Sequence, residues 1–156
     1  MTYYFGYGSN MNEARVVQRK LPFTEILPGR LADFRLVFNK RSVKYPGAAS
    51  ANVMPQLNSV VEGVLYKLQD QQSIEMMDPY EGYPIRYSRS LQTVATPHGD
   101  VSAWVYTANP DYIAEGLKPA RWYLNHLLAG RPHLSEPYYL GLSQTECLPD
   151  SDIEPD

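Results

Sequence analysis

The residues best suited to chemistry fall in two clusters. At the start of the chain, Tyr4-Phe5-Gly6-Tyr7-Gly8-Ser9-Asn10-Met11 passes from aromatic β-formers through two glycines to two short polar residues that favour turns and helix N-caps. Met11, Ala14, Val17 and Leu21 follow at helical spacing, with Glu13 in the first turn. A strand, a glycine turn and a helix start in that order aim several backbone N–H groups at one point. Such a nest attracts a carboxylate, a phosphate or a developing oxyanion, although the same pattern also makes a tight turn that binds nothing. The second cluster is Asp78-Pro79-Tyr80-Glu81-Gly82-Tyr83-Pro84. Glu81 has only uncharged immediate neighbours. In a desolvated rim its pKa would rise, and it would trade protons near neutral pH. Local context alone equally describes an exposed loop glutamate, because Glu is rarely buried. Asp78 either pairs with Glu81 or serves as a turn and cap residue.

Other chemistries lack their residues. A dinucleotide fingerprint needs a third glycine where Met11 stands, and a Walker loop needs Gly-Lys-Ser/Thr. A nucleophile elbow around Ser9 fails because the residue two positions later is Met11 rather than glycine. His98, His126 and His133 show no paired ligand spacing, and Cys147 is the single cysteine, so no metal site is expected. What remains is an anion-binding turn and one acid/base.

Several elements must position these two clusters. Residues 26–31 read as a short strand around the Pro28-Gly29 break. Phe34 to Phe38 alternates at period two, and Ala49 to Met54 is a small-residue strand ended by Pro55. Small side chains on a strand mark a close approach by backbone or ligand. Val60 to Leu68 is the clearest strand, and residues 69–77 read as a short helix. Residues 90–96 and 101–107 form strands flanking a His98-Gly99-Asp100 hairpin turn, which leaves His98 exposed. Pro119 opens a helix that contains His126, read as a satisfied or edge histidine, and ends at Gly130. Ser135 caps a last helix. The expected fold class is α+β, a mixed barrel-like sheet of roughly six or seven short strands with flanking helices. Residues 1–146 read as one domain, and residues 147–156 as an acidic, disordered tail.

The bulk properties fit a soluble globular protein. The chain has 156 residues, of which 44% are hydrophobic and 20% charged. Its net charge of −3 argues against a nucleic-acid partner. With no long apolar run and no signal-peptide pattern, no membrane partner and a cytoplasmic location are expected, and the lone cysteine fits a reducing compartment.

Taken together, the motifs resemble the γ-glutamylcyclotransferases. The resemblance runs from Tyr4-Phe5-Gly6-Tyr7-Gly8-Ser9-Asn10-Met11 through Ala51-Asn52, Glu62-Gly63-Val64-Leu65-Tyr66, Asp78-Pro79-Tyr80-Glu81-Gly82 and Tyr87. It continues through Pro119-Ala120-Arg121-Trp122-Tyr123 to Gly130 and covers roughly residues 3 to 142 in family order. It implies an enzyme that cyclises the γ-glutamyl group of a small γ-glutamyl amide or peptide to 5-oxoproline, releasing an amine or amino acid, with no cofactor or metal. By that resemblance Glu81 is the catalytic acid/base. Tyr4, Phe5, Gly6, Tyr7, Gly8, Ser9 and Asn10 form the substrate-holding loop, and Tyr87 and Tyr123 complete the substrate site. The implied partner is the small-molecule substrate, with the chain a monomer or homodimer. Ala120 departs from the family, which often has Ser there, and a hydroxyl contact is missing as a result. A non-catalytic module that binds a small acid or a peptide terminus on the same fold is the alternative, since fold resemblance does not establish activity.

Overall fold

The computed structural model describes residues 1–149. Five strands close into a barrel in the order β1-β3-β2-β4-β5. They are β1 (Tyr3–Gly6), β2 (Phe23–Arg41), β3 (Ala49–Leu68), β4 (Tyr87–Thr96) and β5 (Gly99–Ala108). Neighbouring strands run antiparallel except at the seam, where Tyr3 and Tyr4 of β1 pair in parallel with Ala103 and Trp104 of β5. The helices are α1 (Glu13–Gln18), α2 (Asp78–Glu81), α3 (Arg121–Leu128) and α4 (Glu136–Ser143). Short 3₁₀ turns at Ser9–Met11, Ser73–Met76, Pro110–Tyr112 and Arg131–His133 complete the list. None of these helices is long and apolar enough to cross a membrane.

The α+β class and the closed barrel agree with the sequence reading, but the strands are fewer and longer. The two segments around Pro28-Gly29 and Phe34–Phe38 are one strand of 19 residues, and those on either side of Pro55 are one strand of 20 residues. Neither proline ends its strand. Pro28 lies where β2 pairs with β3 alone, and Pro55 pairs with Phe34 at a register slip, which are the edge and bulge positions where a missing N–H is tolerated. There the single β2 residue Asp33, at φ 64°, stands opposite residues 56–59 of β3, and its carboxylate accepts from the backbone N–H of Asn58 at 3.0 Å. The expected helix over 69–77 is replaced by the Ser73–Met76 turn, followed directly by α2. Ser135 caps α4 by accepting from the N–H of Tyr138, and Glu62 in β3 accepts from the Ser135 N–H and hydroxyl, both at 2.7 Å. Leu148 donates to the Pro119 carbonyl at 2.9 Å, so the chain is still docked where the tail was expected to begin. The rest of that tail, residues 150–156, lies outside the described residues.

Alternation along the strands divides the core in two. Phe5, Leu31, Val61, Leu65, Val94 and Val105 fill the barrel, while Met11, Val16, Tyr66, Met77, Leu124 and Leu127 pack between the barrel and its helices. The Phe5 ring lies over two glycines. A Cβ on Gly29 would stand 3.1 Å from it, and one on Gly63 would stand 2.9 Å from it and 2.6 Å from the Gly6 carbonyl oxygen. Gly63 therefore lets β1 pass close across β3, and β1 delivers the loop that follows it. Gly63→Ala should lower stability by about 1–3 kcal/mol through overpacking, read as a fall of several degrees in the thermal midpoint. An unchanged midpoint would show that the strands separate without strain.

Candidate active site

β1 ends at Gly6, and the chain turns at once into the Ser9–Met11 helical turn. The turn closes through Met11 N–H to Gly8 O at 3.0 Å and Asn12 N–H to Ser9 O at 3.2 Å. Asn12, rather than Ser9 or Asn10, caps α1 by accepting from the Ala14 N–H. The loop N–H groups of Gly8 and Ser9 donate to no acceptor among the described residues. A Cβ on Gly8 would meet the Tyr123 hydroxyl at 3.1 Å and the Ala51 methyl at 3.2 Å, so the backbone there is pressed against the opposite wall.

Three tyrosines brace that wall through the main chain. Tyr7 donates to the Tyr106 carbonyl at 2.7 Å, Tyr87 donates to the Ala51 carbonyl at 2.8 Å, and the Tyr123 hydroxyl accepts from the Ala51 N–H at 2.9 Å. Burial pushes the hydroxyls of Tyr4, Tyr7 and Tyr87 well above the usual phenol range, and that of Tyr123 up to about 12. All four stay neutral near pH 7 and serve as fixed dipoles.

Glu81 closes α2, and Gly82 reverses the chain in the left-handed region at φ 69°. The Arg86 guanidinium fills the space where a Gly82 side chain would stand. Asn10 joins the two clusters. It is 2% exposed, and its amide N–H group donates to the Tyr4 hydroxyl at 2.9 Å, to the Met77 sulfur at 3.3 Å and to Glu81 Oε1 at 3.3 Å. Arg19 Nη1 donates to Asn10 Oδ1 at 3.2 Å. Because arginine only donates, the amide orientation is set and its donors face the acid. Glu81 keeps partial access through the cavity, but surrounding protein strips its hydration. Desolvation pushes its pKa upward, opposed by the positive charges of Arg19, Lys40, Arg15 and Arg86.

Tyr4, Tyr7, Gly8, Ser9, Asn10, Glu81, Tyr87 and Tyr123 line one cavity of about 220 Å³. Its lining includes Ala48 and, from the small-residue strand expected to admit a close approach, Ala49, Ser50 and Ala51. Phe5 and Gly6 do not line it. Phe5 faces the barrel interior because alternation turns it away from Tyr4, and Gly6 sits beneath the Asn10 carbonyl. Sequence reasoning also missed Arg15, Arg19, Lys40, Lys44 and Arg86 on the cavity wall. Arg15 and Arg19 come from α1 and its C-cap, Lys40 from β2, Lys44 from the loop after it and Arg86 from the turn before β4, and nothing in their local sequence marks a shared site. His126 does not line the cavity and is engaged by α1, with Nδ1 3.0 Å from the Asn12 amide, and His98 is exposed at its hairpin as expected. Among the described residues, no group of three or more His, Cys, Asp or Glu side chains is arranged to hold a metal ion.

The sequence matches the family described as "Gamma-glutamyl cyclotransferase, AIG2-like" over residues 4–124. That match spans most of the chain, and the chain belongs to the family. A solved structure described as "Gamma-glutamyl cyclotransferase" is 24% identical, with TM-score 0.79 over 94% of this chain and 88% of the other. An uncharacterized protein from Homo sapiens is 25% identical, with TM-score 0.79 and the same coverages. A yeast cyclotransferase described as specific to glutathione is 13% identical, with TM-score 0.66 over 90% of this chain and 93% of its own, and is similar in fold alone. No curated protein matches the chain.

Asp78 explains how α2 is held. Arg89 clasps its two oxygens at 2.8 and 3.0 Å, and the Tyr106 hydroxyl donates to it at 2.6 Å, tying the start of α2 to β4 and β5. It does not pair with Glu81 as a carboxylate dyad. Asp78→Asn should lower stability by about 1.5–3 kcal/mol, as for hydrogen bonds to a charged group. Chemical denaturation measures this, and an unchanged midpoint would remove Asp78 as the anchor of α2.

Proposed function

We propose that the chain is a γ-glutamyl cyclotransferase, releasing 5-oxoproline and a free amine from a small γ-glutamyl amide, with Glu81 as the acid/base. The observation that carries this reading is one cavity shared by a desolvated carboxyl and unpaired loop N–H groups. In a γ-glutamyl amide the α-amine and the γ-carbonyl belong to one molecule. Holding them in a folded conformer supplies proximity worth roughly 7–11 kcal/mol in well-oriented intramolecular reactions.

Glu81, as carboxylate, takes a proton from the α-ammonium. The freed nitrogen attacks the γ-carbonyl carbon and forms the ring C–N bond. In the tetrahedral intermediate the ring nitrogen still carries two hydrogens, so Glu81 passes its proton to the departing nitrogen and takes the second from the ring nitrogen as the original amide C–N bond breaks; that proton then leaves with the amine as its ammonium, which restores the carboxylate. No water is consumed. The N–H groups of Gly8 and Ser9 bind the α-carboxylate or the oxyanion, where losing one such donor costs about 2.7–4 kcal/mol. Tyr4, Tyr7, Tyr87 and Tyr123 shape the pocket as neutral hydroxyls. Asn10 holds the acid toward the substrate. A cytoplasmic setting would suit this chemistry, as would a monomer or a homodimer.

Glu81→Gln keeps the shape and removes proton exchange, so 5-oxoproline release should fall by about 10²–10⁴-fold. Mass spectrometry of the products from γ-glutamyl amino acids checks this, and free glutamate in place of 5-oxoproline would instead indicate amide hydrolysis. A binding module would retain ligand affinity and release neither. The acid must be ionised to act as base, and burial raises its pKa. The acid limb of kcat/KM against pH should therefore lie above the ordinary carboxylate range of 4.5. A limb at or below that value would contradict a desolvated Glu81.

A further inference from the structure

Lys40 is a buried cation of the cavity to which this mechanism gives no task. It stands near the end of β2, paired in register with Ser50 of β3, and is 5% exposed. Its ammonium lies 5.7 Å from the ring centroids of both Tyr87 and Tyr112 and opens into the cavity. Among the described residues it makes no hydrogen bond and no ion pair, and its charge is met only by the faces of those two rings and by the open cavity. Buried charges are ordinarily paired. The groups facing it deepen the anomaly. Arg86 and Arg41 repel it, Glu81 attracts it from across the cavity, and burial with these cations brings its pKa down to about 8. Lys44 lines the same cavity from the loop between β2 and β3. A fold that keeps a lysine there, with cations beside it, has built a place for an anion.

The glutamyl half of the substrate does not meet that need. With its single α-carboxylate on the loop N–H groups and its ammonium on Glu81, it has no negative charge left for Lys40. We propose that Lys40 forms a second anion subsite that holds a carboxylate on the leaving group, so that the enzyme selects γ-glutamyl amino acids or peptides over γ-glutamyl amines. This rests on the cyclotransferase reading and adds the chemical class of the departing amine. A polyamine or an alkyl-ammonium leaving group would bring positive charge against Lys40 and Arg86 with nothing to offset it.

The test compares γ-glutamyl-alanine with γ-glutamyl-alaninamide, which differ in one carboxylate. The wild-type kcat/KM should favour the acid by tenfold or more. Lys40→Gln and Lys40→Met should collapse that ratio toward one, while Lys40→Arg should keep most of it. Equal losses on both substrates would assign Lys40 to the glutamyl half and overturn the proposal, as would a wild-type ratio near one. Calorimetry on Glu81→Gln protein, with and without each Lys40 substitution, reads the same preference as affinity without turnover. Preferential binding of the acid that depends on Lys40, without 5-oxoproline from the wild type, would keep the subsite and sink the cyclotransferase reading. Turnover with no charge preference would do the reverse, and neither binding nor turnover would overturn both. Unchanged melting curves for Lys40→Arg and Lys40→Met establish that folding is not the cause.

Discussion

The contact on which the site depends is the hydrogen bond from the Asn10 amide to Glu81. Asn10 belongs to the first turn of the chain and Glu81 to a four-residue helix seventy-one positions later. A carboxyl withdrawn from water is held in place only if its neighbours supply donors without fully neutralising it. Asn10 does this with a neutral amide. Its own carbonyl side is occupied by Arg19, and its backbone carbonyl accepts from Tyr66 at 2.7 Å, so the amide has little freedom to turn. The nearest cations act on Glu81 through space, and none forms an ion pair with it among the described residues. A direct salt bridge would lower the pKa and immobilise the proton. A neutral donor leaves the proton exchangeable.

The barrel exists, in functional terms, to bring β1 across β3 at close range. Gly63 permits that crossing and Phe5 fills the interior beneath it. Tyr4, turned outward by the same alternation, reaches Asn10. Beyond the crossing, Ala51 presents its N–H to Tyr123 and its carbonyl to Tyr87, so the cavity wall is a strand clamped on both of its polar groups. Proximity catalysis needs a fixed container more than it needs reactive groups. Neutral, buried tyrosines bonded to the main chain provide one.

Much of this was legible in the residues, and the limits follow from what local pattern encodes. The glycine turn after β1, the isolated acid at Glu81 and the small-residue strand around Ala51 are local signals, and each lies on the cavity as expected. Local signals misjudged the strands. Pro55 read as a terminator and Pro28 as a break inside a short strand, yet the long antiparallel register of β2 with β3 carries through both. Treating residues 4–10 as a continuous loop also put Phe5 in the site. Period-two alternation, applied strictly to β1, turns Phe5 away from the face that Tyr4 presents. Lys40 and Arg86 had no local signature, because burial of a charge is decided by which distant strands close over it. The hydrogen bond from Asn10 to Glu81 was hidden for the same reason.

Charge in the cavity ties these parts together. Two opposed influences set the proton affinity of Glu81, desolvation raising it and the surrounding cations lowering it. A ligand that brings carboxylates to the loop and to Lys40 screens those cations and expels water at the same time. Both changes raise the affinity of Glu81 for a proton, while the arriving ammonium offers one and lowers it again. On the proposed reading, the first two changes would bring the acid toward the ammonium in proton affinity, the condition under which a proton moves to and fro with little bias. A ligand lacking the second carboxylate would leave the cations unscreened and the acid more firmly ionised, good at taking the proton and poor at returning it. On this argument the charge of the leaving group bears on the return of the proton as well as on affinity, and the two roles meet at one pair of side chains, Glu81 and Lys40.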